Sequence, residues 1–215
     1  MEASKKMRRA GKMGRPTLEQ AGVIESVILE TATKLFLENG YDATSMVAVA
    51  VGAGVSKRTL YARYGTKEAL MNGVIEDRIK RWAAAAGEND VNLPDDFKLR
   101  MIRHAQTLAH ASGGTEVREF DRLMQATSNR FPQFAKAYHG VGYRYELDFL
   151  TAEIRKSTAE TSRPARNPER VAQQLFSMIM GWRRTQELIR ELERSEVDAF
   201  AKDAVEVLFE GRAAW

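Results

Sequence analysis

Five side chains that can donate hydrogen bonds fall within the seven residues from 57 to 63, namely Lys57, Arg58, Thr59, Tyr61 and Arg63. A guanidinium can form two parallel hydrogen bonds to a guanine edge, and a threonine methyl can touch the methyl of thymine. We therefore expect Arg58 and Thr59 to read bases. Cationic and phenolic groups also bind phosphate oxygens, which fixes position without reading sequence. No acidic residue occurs between positions 43 and 67, so this segment suits a polyanion.

Two short helices are needed to present these side chains. The apolar spacing predicts helices at 45–52 and 56–63, separated by Gly52-Ala53-Gly54. Small residues let two helices approach closely across a short turn, and Gly54 can adopt a positive φ angle. Within and beside the second helix, three residues lie at intervals that point them to one side, where they are expected to face the core: Val55, Leu60 and Tyr64. The sequence thus predicts a helix-turn-helix at residues 44–64.

Hydroxyl side chains stand where both helices begin. Ser56 occupies the N-cap position of the second helix, and either Thr44 or Ser45 can cap the first. The free amides at such a helix start form a positive pole that suits a phosphate. We therefore include these three residues among the candidate DNA contacts.

Basic charge also concentrates at the N-terminus. Residues 1–15 contain six basic residues and one acidic residue, so they carry +5 while the remaining 200 residues carry −1. Within this arm, Gly14-Arg15-Pro16 has the pattern of a hook for a narrow A·T-rich minor groove, because Arg15 is attracted by its negative potential. The alternative is a solvated tail that contacts nothing.

The string Val49-Ala50-Val51-Gly52-Ala53-Gly54-Val55-Ser56-Lys57-Arg58-Thr59-Leu60-Tyr61 resembles the signature of TetR-type transcriptional regulators. The resemblance extends over Gly40-Tyr41-Asp42-Ala43-Thr44-Ser45-Met46 and over Lys67-Glu68-Ala69-Leu70, and it covers about residues 18–82. It implies an N-terminal three-helix DNA-binding domain followed by a C-terminal domain for ligand binding and dimerisation.

The resemblance also implies individual DNA contacts. Family phosphate contacts would fall on Thr44, Tyr61 and Lys67, and base contacts on residues around 57–59. The chain departs from the family at Arg63, where His or an aromatic residue is usual, and at Tyr64, where Phe is usual. The expected DNA-binding set is Thr44, Ser45, Ser56, Lys57, Arg58, Thr59, Tyr61, Arg63, Lys67 and, from the arm, Arg15.

Helical periodicity dominates the chain, and no stretch alternates polar and apolar residues long enough to predict a strand. We expect an all-α fold of about nine helices, at 18–38, 45–52, 56–63, 67–82, 95–111, 115–128, 131–157, 168–193 and 196–210. A composition shift near residues 83–94 predicts the domain organisation. Together with the family resemblance, this boundary predicts a basic arm at 1–17, a DNA-binding domain at 18–82 and a C-terminal regulatory and dimerisation domain at 83–215.

Composition and motifs exclude several classes of protein. The chain has no cysteine, which excludes disulfides and thiolate sites. No run approaches the roughly 18 apolar residues that cross a bilayer, so we expect a cytosolic protein with no membrane partner. It lacks a glycine-rich phosphate loop and catalytic signatures, so we expect neither an enzyme nor a cofactor. Its histidines are scattered and predict no metal site: His104, His110 and His139.

The two C-terminal helices carry apolar stripes wide enough for a core and a partner surface. In the TetR family the last two long helices form a four-helix interface between two subunits, and a core within one subunit is the alternative. The expected dimer interface comprises Val171, Leu175, Met178, Trp182, Phe200, Ala204 and Leu208.

A ligand pocket is expected among the helices of residues 95–157. Its candidate lining is Phe97, Leu108, Phe120, Leu123, Met124, Phe134, Tyr138, Tyr145 and Phe149. The same stripe of aromatic residues and methionines could instead fill a core. The stretch from Phe131 to Tyr138 also resembles the AefR-like type of C-terminal domain in this family, which names no ligand.

These expectations converge on a sequence-specific DNA-binding regulator, a homodimeric repressor on a palindromic double-stranded operator. A small hydrophobic effector, not identified from the sequence, would release it from DNA. A DNA-binding architectural protein without an effector is the alternative, and its C-terminal domain would be filled by side chains.

Overall fold

A computed structural model of the protein describes residues 18–89, 93–159 and 164–215. These residues form ten α-helices and no strand, which confirms the all-α prediction with one helix more than expected. The helices are α1 (Leu18–Ala43), α2 (Met46–Gly52), α3 (Lys57–Arg63), α4 (Lys67–Asn89), α5 (Phe97–Ala111), α6 (Thr115–Ser128), α7 (Pro132–Tyr138), α8 (Arg144–Ala159), α9 (Pro168–Glu187) and α10 (Arg194–Glu210).

The additional helix arises because the segment predicted at 131–157 is not continuous. A π-helical turn at His139–Tyr143 separates α7 from α8, and it contains Gly140 and Gly142. Two glycines so close together weaken a regular helix, since each costs about 1 kcal/mol relative to alanine. Such turns are often found at functional sites.

The end of α9 also differs from its expected position, because the helix stops at Glu187 instead of residue 193. The next helix, α10, begins at Arg194 with a reciprocal cap. The Glu193 side chain accepts a hydrogen bond from the backbone of Glu196, and the Glu196 side chain accepts one from the backbone of Glu193. This cap defines a new helix start. The first helix extends to Ala43 instead of residue 38, but Gly40 within it is non-helical with φ 77°, close to the predicted end.

Two apolar clusters organise the described residues. The first joins α1–α4 to α6 and α7, with buried members such as Phe36, Leu60, Phe120 and Phe134. The second joins α5 and α8–α10. Apolar residues are thus divided among many helix faces, and no helix within the described ranges is long and apolar enough to cross a membrane.

Candidate nucleic-acid interface

The turn between α2 and α3 has the geometry that its small residues predict. Gly54 has φ 63°, a left-handed conformation that favours glycine. Gly52 is so close to α1 that a β-carbon there would lie 2.8 Å from the Thr31 methyl group. The absence of a side chain at residue 52 therefore lets α2 pack directly on α1.

Serine side chains cap both helices of the motif. The Ser45 hydroxyl accepts a hydrogen bond from the Ala48 amide at 3.1 Å, and the Ser56 hydroxyl accepts one from the Thr59 amide at 3.0 Å. Of the two candidate caps for α2, the structure thus uses Ser45. Both serines are exposed at helix starts.

The buried side of α3 determines which side chains face outward. Leu60 is fully buried, and Tyr64 is buried beside the half-buried Val55 in the first apolar cluster. This agrees with the predicted orientation of all three residues. Consequently Lys57, Arg58 and Tyr61 project from the opposite side and are exposed. They form what we term the outer face of α3, together with the hydroxyl-bearing Thr59, which is half-buried.

Two predicted contacts on α3 are engaged within the protein. The Thr59 hydroxyl shares a 2.8 Å hydrogen bond with the Ser56 hydroxyl. The Arg63 guanidinium lies 3.7 Å from the Glu25 carboxylate on α1, and the Tyr64 hydroxyl donates to the same carboxylate at 3.1 Å. Arg63 and Tyr64, the two departures from the family pattern, therefore meet at one residue of α1.

Lys67, the first residue of α4, is half-buried and is engaged within the protein. Its ammonium group donates to the backbone carbonyls of Tyr41, Asp42 and Thr44 at 2.8, 3.2 and 3.0 Å, and it lies 4.4 Å from the centre of the Tyr41 ring. These contacts fix the segment that leads into α2. The buried Thr44 hydroxyl also points inward and donates to the carbonyls of Leu35 and Gly40, both at 2.9 Å.

An ion pair lies at the N-terminal edge of the motif. Asp42 is the nearest acidic residue on the N-terminal side of the motif, and its exposed carboxylate forms a 2.9 Å ion pair with Arg130. Sequence patterns did not indicate Arg130, because 88 residues separate it from Asp42. The predicted contact Arg15 lies outside the described residues.

A buried arginine connects this region to the rest of the protein. The Arg78 side chain on α4 binds the carboxylates of Glu30 on α1, Asp77 on α4 and Glu116 on α6, at 2.7, 2.8 and 2.8 Å. The second oxygen of Glu116 accepts a hydrogen bond from the Trp82 indole at 3.3 Å. We refer to these five residues as the Arg78 network, which ties three helices together and which sequence patterns did not reveal.

A cavity of about 590 Å³ lies between α4, α5, α6, α9 and the π-helical turn. Three predicted pocket residues line it, namely Leu108, Tyr138 and Tyr145. The other six lie in the protein's own packing: Phe120, Leu123, Met124 and Phe134 belong to the first cluster, Phe97 packs on the second, and Phe149 contacts His104. The volume is in the range of small-molecule sites.

Further lining residues come from helices outside the predicted pocket region. Trp82 on α4 and Phe176 on α9 contribute aromatic walls, and two arginines extend from α9. Two more arginines come from α6, which lies within the predicted region. The hydroxyl of the half-buried Tyr138 donates to the Asp121 carboxylate at 2.6 Å. Burial, and next the charge of Asp121, raise the pKa of Tyr138, so this phenol remains a protonated donor.

The predicted dimer residues divide into two groups. Val171, Leu175, Ala204 and Leu208 are buried within the protomer's own second cluster. The remaining three, Met178, Trp182 and Phe200, are half-buried at the surface of α9 and α10. There the rings of Trp182 and Phe200 stack in parallel, with centroids 4.1 Å apart. Val207, on α10 like Phe200, is 62% exposed. We refer to Met178, Trp182, Phe200 and Val207 as the apolar strip.

Two family models match the chain. Residues 28–74 match the model described as bacterial regulatory proteins of the tetR family, and residues 100–211 match the C-terminal domain of AefR-like transcriptional repressors. The first match contains the motif with Gly54 and Ser56. The second contains most of the cavity walls and the apolar strip.

The chain is also similar to individual transcriptional regulators in sequence and in structure. The chain is 41% identical over 56 residues to the transcriptional repressor ComR of Escherichia coli, covering 26% of this chain and 27% of ComR. It is 27% identical over 129 residues to the transcriptional repressor Rv3405c of Mycobacterium tuberculosis, covering 58% and 62%. The matches thus span less than two thirds of either relative. The solved structure of the flavonoid-responsive regulator FrrA matches with a TM-score of 0.75 and 25% identity, over 88% of this chain and 97% of FrrA.

Proposed function

We propose that this chain, which belongs to the TetR family of bacterial transcriptional regulators, is a dimeric repressor whose affinity for its operator is lowered by a small effector. Members of this family are non-enzymatic proteins that bind DNA operators and act as dimers. Beyond these family properties, we propose repression, the individual DNA contacts and the response to an effector in the cytoplasm.

The observation that carries the DNA-binding part is the outer face of α3. Lys57, Arg58 and Tyr61 are exposed on one side of a helix whose opposite side is anchored by the buried Leu60. Such a helix can enter the major groove, where Arg58 can pair with guanine while Lys57 and Tyr61 hold phosphates. The repressor names of ComR and Rv3405c support the direction of regulation.

The cavity supports the effector part. One wall of the cavity is α4, which the Arg78 network connects to α1. Another wall is α9, which carries part of the apolar strip. A ligand in this position could alter the angle between α4 and the dimer surface, and thereby the spacing of the two recognition helices. FrrA, a flavonoid-responsive protein of similar structure, is consistent with a response to a small molecule.

Selection of duplexes from a random DNA pool tests the DNA-binding function. We expect the full-length protein to enrich two inverted half-sites whose centres lie about one helical turn apart, or a multiple of it. The bound protein should contain two chains or a multiple of two. Recovery of sequences with no common motif would contradict sequence-specific repression.

Replacing Val207 with Glu should weaken the dimer. Val207 is exposed on the protomer, so the substitution leaves its core intact but places a charge in the proposed partner surface. We expect the dimer dissociation constant to rise about a hundredfold or more, since a buried unpaired charge costs several kcal/mol. Sedimentation equilibrium measures this change.

Leu99→Glu is the matched control, because Leu99 is an exposed apolar residue on α5 outside the strip. The dimer dissociation constant of this variant should equal that of the unmodified protein. If Val207→Glu behaves in the same way, the partner surface lies elsewhere.

A further inference from the structure

We infer that the cavity takes a flat aromatic carboxylic acid, with its rings between the aromatic walls and its carboxylate at the arginines of α6 and α9. The inference rests on the effector-binding part of the proposed function, and it replaces a generally hydrophobic effector with a defined chemical class. Two independent features of the cavity support it: a continuous series of rings and an excess of cationic side chains.

The rings form a chain of neighbouring contacts along the cavity. Trp82 contacts Tyr138 with centroids 6.5 Å apart, and Tyr138 contacts His139 at 5.7 Å. His139 in turn contacts Tyr143 at 6.3 Å, and Tyr143 contacts Phe176 at 4.9 Å. All five residues line the cavity. Ring faces and edges in this arrangement favour a flat aromatic guest, because aromatic pairs gain energy beyond the burial of their area.

The polar atoms of two of these rings are already engaged by the protein. The Trp82 indole nitrogen donates to Glu116, and the Tyr138 hydroxyl donates to Asp121. A ligand therefore meets mainly the apolar surfaces of these two rings. Its own polar group must find a partner elsewhere in the cavity, since burying it unpaired would be costly.

Charged side chains provide that partner. Four arginines and three carboxylates line the cavity. Each carboxylate has a short contact within the protein: Asp121 with Tyr138 at 2.6 Å, Glu187 with Arg183 at 2.6 Å and Glu146 with His104 at 3.1 Å.

The other arginines are less fully paired than these carboxylates. Arg118 and Arg184 approach a carboxylate only at 3.9 Å. Arg122 is exposed and has no carboxylate within 4 Å in the described part of the chain. Arg118 and Arg122 are four residues apart on α6 and so share one face, while Arg184 extends from α9. This wall can bind a carboxylate through charge-assisted hydrogen bonds.

Calorimetric titration with three probes of nine carbons each separates ring from charge. Cinnamate has both a ring and a carboxylate, cinnamyl alcohol has only the ring, and nonanoate has only the carboxylate. We expect cinnamate to bind the full-length protein at least about tenfold more tightly than either of the others. One charge-assisted contact accounts for the difference from the alcohol, and aromatic contacts account for the difference from nonanoate. Equal binding of the alcohol, tighter binding of nonanoate, or no cinnamate binding would overturn the inference.

The double variant Arg122→Gln/Arg184→Gln tests where the carboxylate binds. Both side chains are exposed, so the fold should persist. The preference for cinnamate over cinnamyl alcohol should disappear while the affinity for the alcohol stays the same. The control Arg155→Gln/Arg170→Gln removes two exposed charges outside the cavity and should keep the preference. An unchanged preference in the first variant would show that the arginines of this wall do not bind the acid.

Adding the same probes to the protein bound to its selected duplex separates this inference from the proposed function. Cinnamate that binds the protein without lowering DNA affinity would contradict the effector function and leave the ligand class intact. Release of DNA by cinnamyl alcohol or nonanoate, but not by cinnamate, would contradict the ligand class and leave the effector function intact.

Discussion

Replacing Arg78 with Met should lower the free energy of unfolding by about 3 kcal/mol. The Arg78 side chain is only 4% exposed and binds carboxylates from three helices. Methionine fills a similar space but leaves Glu30, Asp77 and Glu116 without their shared cation. Removing one partner of a buried ion pair costs about 3–5 kcal/mol, and the partial exposure of these carboxylates favours the lower end. Thermal unfolding at fixed protein concentration should show a fall of about 6–12 °C.

Arg81→Met is a close control for this prediction. Arg81 also lies on α4 and binds two of the same carboxylates, Asp77 at 2.9 Å and Glu30 at 3.7 Å, but its side chain is 46% exposed. We expect a loss below about 1 kcal/mol, as is usual for exposed ion pairs. Equal losses in the two variants would mean that burial of Arg78 contributes nothing, and that the Arg78 network does not hold α1, α4 and α6 together.

Replacing Lys67 with Met should lower both stability and DNA affinity. The ammonium group makes three hydrogen bonds to backbone carbonyls and lies over the Tyr41 ring. Losing these contacts should cost about 2 kcal/mol in unfolding free energy. DNA affinity should fall because the segment from Tyr41 to Thr44, which leads into α2, is no longer held in place. Chemical denaturation and titration of the selected duplex measure the two effects.

Lys57→Met separates this positioning role from a direct phosphate contact. Lys57 is exposed on the outer face of α3, so its loss should leave stability within about 0.5 kcal/mol. The slope of log affinity against log salt should become shallower by about 0.9, the value for one phosphate contact. For Lys67→Met we expect an unchanged slope. A shallower slope with unchanged stability would instead make Lys67 the phosphate contact that the family resemblance implies.

The motif could be predicted from sequence because its determinants are local. Gly54 has the positive φ angle that was expected, and Ser56 caps α3 through an amide only three residues away. The inward direction of Leu60 follows from helical spacing within one short segment. Each of these features depends on residues within one or two turns, which periodicity and capping rules describe directly.

The cavity and the role of Lys67 depend on packing between distant segments. Phe120 and Tyr138 occur in similar apolar stripes, yet Phe120 is fully buried in the core and Tyr138 lines the cavity. Their difference arises from how α6 and α7 pack against α1 and α4, which helical spacing does not specify. The carbonyls that Lys67 binds lie 23–26 residues earlier in the chain, so no local pattern could indicate them.

Repeating the duplex selection with Arg58→Ala tests most directly whether the outer face of α3 reads bases. Arg58 is exposed and contributes nothing to the core, so the fold should be unaffected. We predict that one or two positions in each half-site lose their base preference, at a cost of about 1–3 kcal/mol, while the other positions and the half-site spacing persist. An unchanged motif bound with uniformly lower affinity would show that Arg58 contacts phosphate, and it would contradict base reading by this residue.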